Sequence, residues 1–309
     1  MQNFVTEKAS VWVKSWIKPW YYRISAVVLS DEQFIKKKYK KSFGREIDLN
    51  NPRTFTEKIQ YLKLYNRPTG LSRLADKYEV RQYVKEQGLE HILNQLYGVY
   101  ERVEELKFDQ LPDAFVIKMT HGSSWNIICP DKSKLKWDTE LSKLHGWQKE
   151  NFYFHTREWV YKQIRPRIIV EKYLGGDRGA GTPLNDYKIY CFNGKPDFIG
   201  VDLDRYTDHR RNLYDLDWSL LPWQYNFQNT DRIIPKPACL DEMLEIAQKL
   251  SRGLIFARID LYAVQDKIIF GEVTLSPGSG FNKFYPDEFD LRVGEKIDIS
   301  SLFDSLKKK

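Results

Sequence analysis

The sequence of 309 residues has little cysteine and no long apolar run. Its three cysteines, Cys129, Cys191 and Cys239, are odd in number and lack CxxC spacing, which is typical of proteins in a reducing compartment. No apolar run reaches the ~18 residues that a membrane-spanning helix needs. Lys8 and Lys14 interrupt the apolar residues at the start, and no small-residue cleavage site follows them. The sequence therefore predicts a cytoplasmic protein that is neither secreted nor membrane-spanning.

Positive charge is concentrated at one end of the sequence. The net charge is +7, and residues 1–45 contain ten Lys or Arg but only the three acids Glu7, Asp31 and Glu32. The remaining residues are therefore balanced in charge. A nucleic-acid-binding protein usually spreads its basic residues over the surface that contacts the nucleic acid. Because the basic residues here are confined to one terminus, we expect no nucleic-acid partner.

The same basic segment is rich in tryptophan. Trp12, Trp16, Trp20 and Ile24 follow one another at steps of four residues, which would place them on one face of a helix. Trp and Tyr with interspersed Lys suit the headgroup region of a bilayer, and the lysines at 36–41 favour an anionic membrane surface. The alternative is an ordinary terminal helix whose tryptophans pack on the rest of the protein.

Beyond residue 46, helical patterns give way to short strands. Thr54 with Glu57 three residues later predicts a capping box at the start of a helix. Helical patterns cover 52–66, 72–87, 138–150 and 239–252, and strand patterns cover 115–119, 127–129, 168–174, 187–192, 198–203, 255–262 and 267–273. A helix-rich front followed by mixed segments predicts an α+β or α/β protein.

The last two strand patterns carry the most informative residues. They predict a hairpin with its turn near 265–266, in which Asp260 and Glu272 face each other on neighbouring strands. A buried carboxylate must be paired or must bind a cation. Two converging carboxylates suit Mg²⁺, which prefers oxygen ligands and retains some waters. Thr274 shares a strand face with Glu272, as Arg258 does with Asp260, and a salt bridge of both carboxylates with Arg258 is the alternative to a metal site.

An earlier strand leads into a candidate phosphate-binding turn. Lys118 lies on this strand, and the turn His121-Gly122-Ser123-Ser124 follows it. Backbone N–H groups and hydroxyls in such a turn can contact phosphate oxygens, and the lysine supplies positive charge. The sequence lacks the GxxxxGK[ST] pattern of a Walker loop, so the turn alone is a weak signal.

Further polar residues follow in a definite order. The apolar strand at 168–174 ends in Glu171-Lys172-Tyr173-Leu174, and the backbone of such a strand end can bind the edge of an adenine. Asp186 and Lys188 then share one face of the next strand. Arg210-Arg211-Asn212 falls in a predicted loop. Each segment is weak evidence alone, but together they form an ordered set.

In this order the segments resemble the ATP-grasp superfamily of carboxylate–amine ligases, and in particular its TupA-like branch, named for teichuronopeptide synthesis. The resemblance runs from about Asn51 to Pro286. It implies an α+β protein with an ATP-grasp fold, in which two α/β subdomains grip ATP, preceded by a helix-rich N-terminal region. The implied divisions are a basic, Trp-rich arm at 1–45, a pre-ATP-grasp-like region at 46–108, a subdomain with the glycine-rich loop at 109–174, and a C-terminal subdomain with the magnesium site at 175–309.

The resemblance also implies a role for each site residue. ATP would be bound by Lys77, Lys118, His121, Gly122, Ser123, Ser124, Glu171, Lys172, Tyr173, Leu174, Asp186, Lys188, Arg211 and Asn212. Mg²⁺ would be held by Asp260, Glu272 and Thr274. Thr274 stands where the family usually has Asn, and its hydroxyl is a poorer ligand than an amide oxygen. Arg258 and Lys118 would be catalytic, and Ser276 and Gly278 would contact the substrate.

The activity implied by the resemblance is ATP-dependent amide formation by an ADP-forming ligase. A carboxylate is a poor acyl donor, and its conversion to an acyl phosphate allows an amine to attack. The branch implies bacterial surface-polysaccharide or capsule biosynthesis, with an amino acid or other amine joined to a uronic acid of a glycan or a lipid-linked glycan. An enzyme with such a substrate would rest on the inner face of the cell membrane through residues 1–45.

Three alternatives are compatible with the sequence. A glycosyltransferase would use a DxD motif, which occurs at Asp202-Leu203-Asp204 and Asp215-Leu216-Asp217. A phosphoryl transferase on the same scaffold would phosphorylate a glycan hydroxyl and release ADP without an amine. A degenerate nucleotide-binding scaffold is disfavoured, because the lysine, arginine and acidic residues of the signature are all present.

Overall fold

The computed structural model describes residues 23–177, 185–203, 208–264 and 267–307. Residues 23–28 are helical, and the later helices are α1 (Asp31–Phe43), α2 (Phe55–Tyr65), α3 (Ser72–Ala75), α4 (Glu79–Glu86), α5 (Trp137–Gln148), α6 (Tyr153–Thr156), α7 (Leu240–Ser251), α8 (Glu288–Gly294) and α9 (Ser300–Lys307). The strands are β1 (Leu96–Tyr100), β2 (Phe115–Met119), β3 (Asn126–Cys129), β4 (Ile168–Lys172), β5 (Asp186–Phe192), β6 (Lys195–Leu203), β7 (Arg210–Tyr214), β8 (Gln224–Tyr225), β9 (Phe256–Val264), β10 (Lys267–Thr274) and β11 (Phe284–Tyr285). Helices around antiparallel sheets confirm the α+β prediction.

The first sheet has four antiparallel strands in the order β1-β4-β2-β3. Side chains alternate across a strand, and Phe115, Ile117 and Met119 of β2 are fully buried on one face. These residues pack in one core with Leu144 of α5. The sheet therefore holds both the β2–β3 turn and the end of β4, which carry two of the predicted site segments.

The second sheet has five antiparallel strands in the order β10-β9-β5-β6-β7. Its two faces pack against different cores. Ile189 of β5 and Ile259 of β9 belong to the core that contains α7, whereas Tyr190 and Phe256 belong to an aromatic core that contains α1 and α2. The even-numbered residues of β5 and β9 therefore share the face directed toward α2.

The N-terminal helices are part of this aromatic core. Ile35 and Tyr39 of α1 are fully buried, and the Tyr39 hydroxyl lies 2.9 Å from the hydroxyl of Thr56. The predicted capping box at the start of α2 is confirmed, because the Thr54 side chain accepts from the backbone of Glu57 and the Glu57 side chain accepts from the backbone of Thr54. The described part of the basic arm is thus packed on the protein from residue 31 onward.

Two local predictions are wrong. The single helix expected at 72–87 is interrupted, because Asp76 Oδ1 accepts from the backbone N–H groups of Tyr78 and Glu79 and so begins α4 as a separate helix. The loop expected at 210–212 is the start of β7. A strand can carry Arg211 inside the protein because a buried carboxylate on β6 neutralises its charge.

Several predictions fall outside the described residues. They concern the tryptophans at positions 12, 16 and 20 and the turn at 265–266. Within the described ranges, no helix combines the length and the apolar character needed to cross a bilayer.

Candidate functional site

One face of the five-stranded sheet carries a cluster of charged side chains. Its members come from neighbouring strands and are Asp186, Lys188, Asp202, Arg211, Arg258, Asp260 and Glu272. All except Glu272 are buried. Because burial of a charge is unfavourable unless it is paired, the arrangement of partners decides what this face can bind.

Asp260 and Glu272 are directly paired residues of β9 and β10, as the sequence predicts. Their pairing depends on a β-bulge at Gly271, where the register shifts between Phe270 and Glu272. A Cβ at Gly271 would lie 2.9 Å from the carbonyl oxygen of Asp260, so only glycine fits this close approach. Phe270 points into the core that contains α7, and the bulge allows Glu272 to point to the opposite face.

Arg258 connects the two carboxylates. Its Nε and Nη2 atoms each donate to Asp260 at 2.6 Å, and Nη2 also lies 3.2 Å from Glu272 Oε1. Thr274 donates to the same Glu272 oxygen at 2.7 Å. Lys188 donates to Asp260 Oδ2 at 2.9 Å. The salt bridge considered from the sequence is therefore present, and Thr274 acts on Glu272 through its hydroxyl.

The cluster fits Mg²⁺ bound together with a phosphate ligand. The Glu272 side chain is 46% exposed, and its Oε2 has no hydrogen-bond or ion-pair partner in the described part of the chain. In that part, no group of three or more His, Cys, Asp or Glu side chains is arranged to hold a metal. Mg²⁺ commonly takes one or two carboxylates and completes its coordination with water and phosphate oxygens, which matches Glu272 with Asp260 beside it.

The surrounding cations keep Glu272 ionised. Burial in the cavity would raise the pKa of this carboxyl, but the charges of Arg258, Lys77 and Lys188 outweigh that effect and lower the pKa to about 2. Glu272 is therefore an anion throughout the physiological pH range. Its negative charge is available to a cation or to a hydrogen-bond donor.

Lys77 lies between α3 and α4 and faces the β2–β3 turn. Its backbone N–H donates to the carbonyl of Thr120, and its ammonium donates to the carbonyl of Gly122. Burial lowers the pKa of Lys77 to about 8, although Glu272 acts in the opposite direction. The positive charge of Lys118 also lowers the pKa of Lys77. Lys77 therefore interacts with both groups of predicted site residues, the one around Lys118 and the one around Glu272.

The turn between β2 and β3 has a packed side and an exposed side. His121 is only 2% exposed, and its Nε2 lies 3.0 Å from the carbonyl oxygen of Trp147. A Cβ at Gly122 would overlap the ring of Trp125, which explains the glycine. Ser123 and Ser124 are exposed at the end of the turn. In this structure the serines can contact a ligand, whereas the His121 side chain holds the turn against α5.

Lys118 and Glu171 form one ion pair across neighbouring strands. Lys118 Nζ donates to Glu171 Oε2 at 2.7 Å, and Arg81 donates to Oε1 at 2.8 Å. The backbone of Lys172 is bonded to Asn94 and Gln95. β4 ends at Lys172, so Tyr173 and Leu174 lie just beyond the strand pairing.

The structure separates the adjacent residues Arg211 and Asn212. Arg211 lies on the charged face, where Nη2 donates to Asp202 Oδ2 at 2.9 Å and Nε donates to Oδ1. Asn212 points to the other face, where its side chain bonds to the backbone of Thr230. The sequence predicts both as nucleotide contacts, but alternation along β7 brings only Arg211 to the cluster.

A cavity of about 340 Å³ lies above this cluster. The predicted substrate residues Ser276 and Gly278 line it together with Ser123, Lys77, Arg258, Glu272 and Thr274. Its wall also contains Lys38 of α1 and Glu158. The cavity therefore joins the charged face of the second sheet to the turn of the first.

Sequence reasoning missed four residues near the site. Arg81, Lys38 and Glu158 carry no recognisable motif, and each reaches the site only through packing of distant segments. Asp202 was noticed as part of a DxD triplet. Its position one residue before a strand end, on the face opposite Val201 and Leu203, could have identified it as the partner of Arg211.

Comparison with protein families gives one match. The model described as TupA-like ATPgrasp matches residues 57–298, close to the range expected from the motifs. No protein of curated function matches the chain. The match leaves α1 outside its range.

The chain also resembles parts of several solved structures. D-alanine–D-alanine ligase from Bacillus anthracis is 19% identical, with a TM-score of 0.39 and coverage of 66% of this chain and 58% of that one. The enzyme of that name from Helicobacter pylori is 14% identical, with a TM-score of 0.40 and coverage of 79% and 69%. The ATP-grasp ligase PsnB, complexed with minimal precursor, Mg and ADP, is 13% identical, with a TM-score of 0.37 and coverage of 71% and 57%. The chain thus spans about three fifths of the length of the first of these structures.

Proposed function

Because the chain belongs to the TupA-like ATP-grasp family, as its motifs predict, we propose that it is an ADP-forming ligase that joins an amine to a carboxylate. The observation that carries this proposal is the direct pairing of buried Asp260 with Glu272, which lines a cavity that Lys77 also lines. Acidic and basic groups in this arrangement suit a nucleotide phosphate with its metal ion.

The residues of this chain divide into those that would hold phosphates and those that would hold the metal. Lys77 and the serines of the β2–β3 turn would contact phosphate oxygens, and Glu272 with Asp260 would take Mg²⁺. Thr274, which donates to Glu272 Oε1, would orient this carboxylate. When bound, Mg²⁺ would neutralise charge on the phosphates during phosphoryl transfer.

Arg258 is suited to hold the reacting carboxylate. It lines the cavity, and its guanidinium is fixed by two bonds to Asp260. A guanidinium fixed in this way can stabilise negative charge on an acyl phosphate and on the tetrahedral oxyanion that follows amine attack. The exposed serines of the β2–β3 turn would cover the site and keep water from the acyl phosphate.

For the substrates, we propose a uronic acid carboxyl of a bacterial surface glycan or its lipid-linked precursor, and an amino acid or other amine. Exposed apolar and basic groups on the N-terminal segment support a position at the inner face of the cell membrane. Ile24, Val27 and Val28 are 59%, 88% and 71% exposed, and the exposed Lys37 and Lys41 of α1 are near them in sequence. A segment with both exposed apolar groups and exposed lysines suits an anionic bilayer surface.

The first aspartate of each DxD triplet, Asp202 and Asp215, supports the ligase over a glycosyltransferase. Asp202 is buried and bonded to Arg211 through both oxygens. Asp215 accepts from the backbone N–H of Ser219 at 2.7 Å and so stabilises a turn. Asp202 and Asp215 are thus engaged within the protein, whereas Glu272 lines the cavity and its Oε2 has no partner among the described residues.

Measurement of ADP release by the Glu272→Gln variant tests the proposal. We expect the rate to fall by ~10²–10³, because an interaction with charge in the transition state is lost. Glu245→Gln, which changes an exposed glutamate of α7, should retain full activity. Mass measurement of the product should show a gain of the amine minus water. Unchanged ADP release in Glu272→Gln would refute the site, and a gain of one phosphate would identify a phosphoryl transferase.

A further inference from the structure

The cavity has two groups of opposite charge that the signature residues do not include. Lys38 comes from α1, before the segment that matches the family model, and Glu158 follows α6. Both line the cavity that Arg258 and Glu272 also line. A molecule bound against Lys38 and Glu158 would therefore share the cavity with the reacting groups.

Lys38 directs a cation into this cavity without a carboxylate to balance it. Its ammonium lies 4.5 Å from the ring centre of Phe281 and 5.9 Å from that of Phe34. Within the described ranges it has no hydrogen bond and no carboxylate within 4 Å. Burial lowers the pKa of Lys38, and Glu158 attracts it from a distance. A ligand carboxylate would supply the close partner that this ammonium lacks.

Glu158 is the matching anion. It is only 8% exposed, and no ion pair within 4 Å reaches it from the described residues. The nearby Lys63 donates instead to Gln60 and to both the carbonyl and the hydroxyl of Ser279. Burial raises the pKa of Glu158, and Lys63 offsets this effect. A ligand ammonium would give Glu158 the close cation that the protein does not.

The backbone before Glu158 is fixed firmly enough to hold this position. Arg157 is fully buried with a left-handed backbone (φ 58°). Its guanidinium lies 4.3 Å from the ring centre of Phe34 on α1 and donates to Ser25. The contact with Phe34 ties the segment carrying Glu158 to the helix carrying Lys38, so the two charges are positioned relative to each other.

We propose that Lys38 and Glu158 bind the two charges of a zwitterionic amino acid, its carboxylate on Lys38 and its ammonium on Glu158. The assignment rests on the proposed ligase function and narrows its amine substrate from any amine to an α-amino acid. Lys38 and Glu158 carry opposite charges, line one cavity and form no close ion pair with each other. This arrangement fits a ligand that carries both charges. A plain amine would leave Lys38 without a partner.

Equilibrium calorimetry with ADP and Mg²⁺ present tests this assignment. The probes are the proteinogenic L-amino acids, each compared with the amine that remains when its carboxylate is removed. For the amino acid that binds wild type, we expect Lys38→Met to weaken binding about 10- to 100-fold, the value of a hydrogen bond between charged groups. Lys38→Met should bind the matching amine, which has no carboxylate, as tightly as wild type does. Lys249→Met, which changes an exposed lysine of α7, should leave both affinities unchanged.

Glu158→Gln separates the ammonium contact from the carboxylate contact. We expect this variant to weaken the amino acid and the matching amine alike, while ADP affinity stays at the wild-type value and shows that the fold is intact. Equal amino-acid affinity in wild type and Lys38→Met would overturn the assignment. The assignment would also be overturned if wild type bound ADP but no L-amino acid. That outcome would leave the ligase proposal unaffected. Failure to bind ADP would instead refute the proposed function.

Discussion

Proton uptake on ATP binding should report the role of Lys77. The pKa of Lys77 is about 8 in the protein without nucleotide. A phosphate beside this amine favours its charged form, so ATP binding should raise the pKa and draw a proton from solution. From a pKa of about 8, about one tenth of the Lys77 amines are neutral at pH 7, about half at pH 8 and about nine tenths at pH 9. Those fractions are the expected uptake of protons per ATP.

Calorimetry in pairs of buffers with different ionisation enthalpies measures this uptake directly. The titration is repeated at pH 7, 8 and 9 for wild type, Lys77→Met and Lys77→Arg. Arginine remains charged at each pH, so Lys77→Arg should bind ATP with no added proton uptake from this site. Lys77→Met should bind ATP more weakly and should also show no added proton uptake from this site. ATP's own ionisation is common to all three proteins and cancels in the comparison.

If wild type and Lys77→Arg take up the same number of protons at pH 9, Lys77 is either charged before binding or remote from the phosphates. In the first case only the lowered pKa is refuted. In the second case, in which Lys77→Met also binds ATP as tightly as wild type, the assignment of Lys77 as a phosphate contact fails. Uptake that rises from pH 7 to pH 9 only in wild type supports the assignment.

Two further predictions concern the N-terminal segment. Removal of residues 1–22, which contain Trp12, Trp16 and Trp20, should reduce sedimentation with anionic liposomes, because tryptophan suits the headgroup region of a bilayer. ADP affinity should not change, because none of the described site contacts is lost. Undiminished sedimentation would exclude these residues as the membrane contact. Ile35→Ala should lower the free energy of unfolding by about 2–5 kcal/mol, as expected for a fully buried side chain in a packed core. Denaturant unfolding measures this change in the free energy of unfolding. A change below about 0.5 kcal/mol, the size expected at a surface site, would contradict the packing of α1.

Local patterns were enough to predict much of the fold. The capping box of α2 and the strands β2, β9 and β10 are specified by neighbouring residues, since hydrogen bonding at a helix start and alternation in a strand are short-range effects. The facing of Asp260 and Glu272 could be predicted because one hairpin connects them. The bulge at Gly271 that completes this pairing has a weaker sequence signal, an isolated glycine inside a strand pattern.

The remaining site residues depend on contacts between distant segments. The strand β7 was predicted as a loop because Arg210 and Arg211 look too polar for a buried position, and the neutralising Asp202 lies on another strand. Lys38 and Glu158 are 120 residues apart in the sequence. Only the packing of α1 against α6 and Arg157 places them at one cavity, and no local pattern predicts that packing.

The helix α1 serves the hydrophobic interior and the cavity at the same time. Its Phe34 lies against Arg157, and Lys38, one turn later, reaches the cavity. A larger or smaller side chain at position 34 would shift both the helix and the guanidinium beneath it. Substitutions that repack this interior should therefore alter ligand selectivity, although the substituted side chains do not contact the ligand. Selection for thermal stability and selection for substrate preference would then act on the same positions.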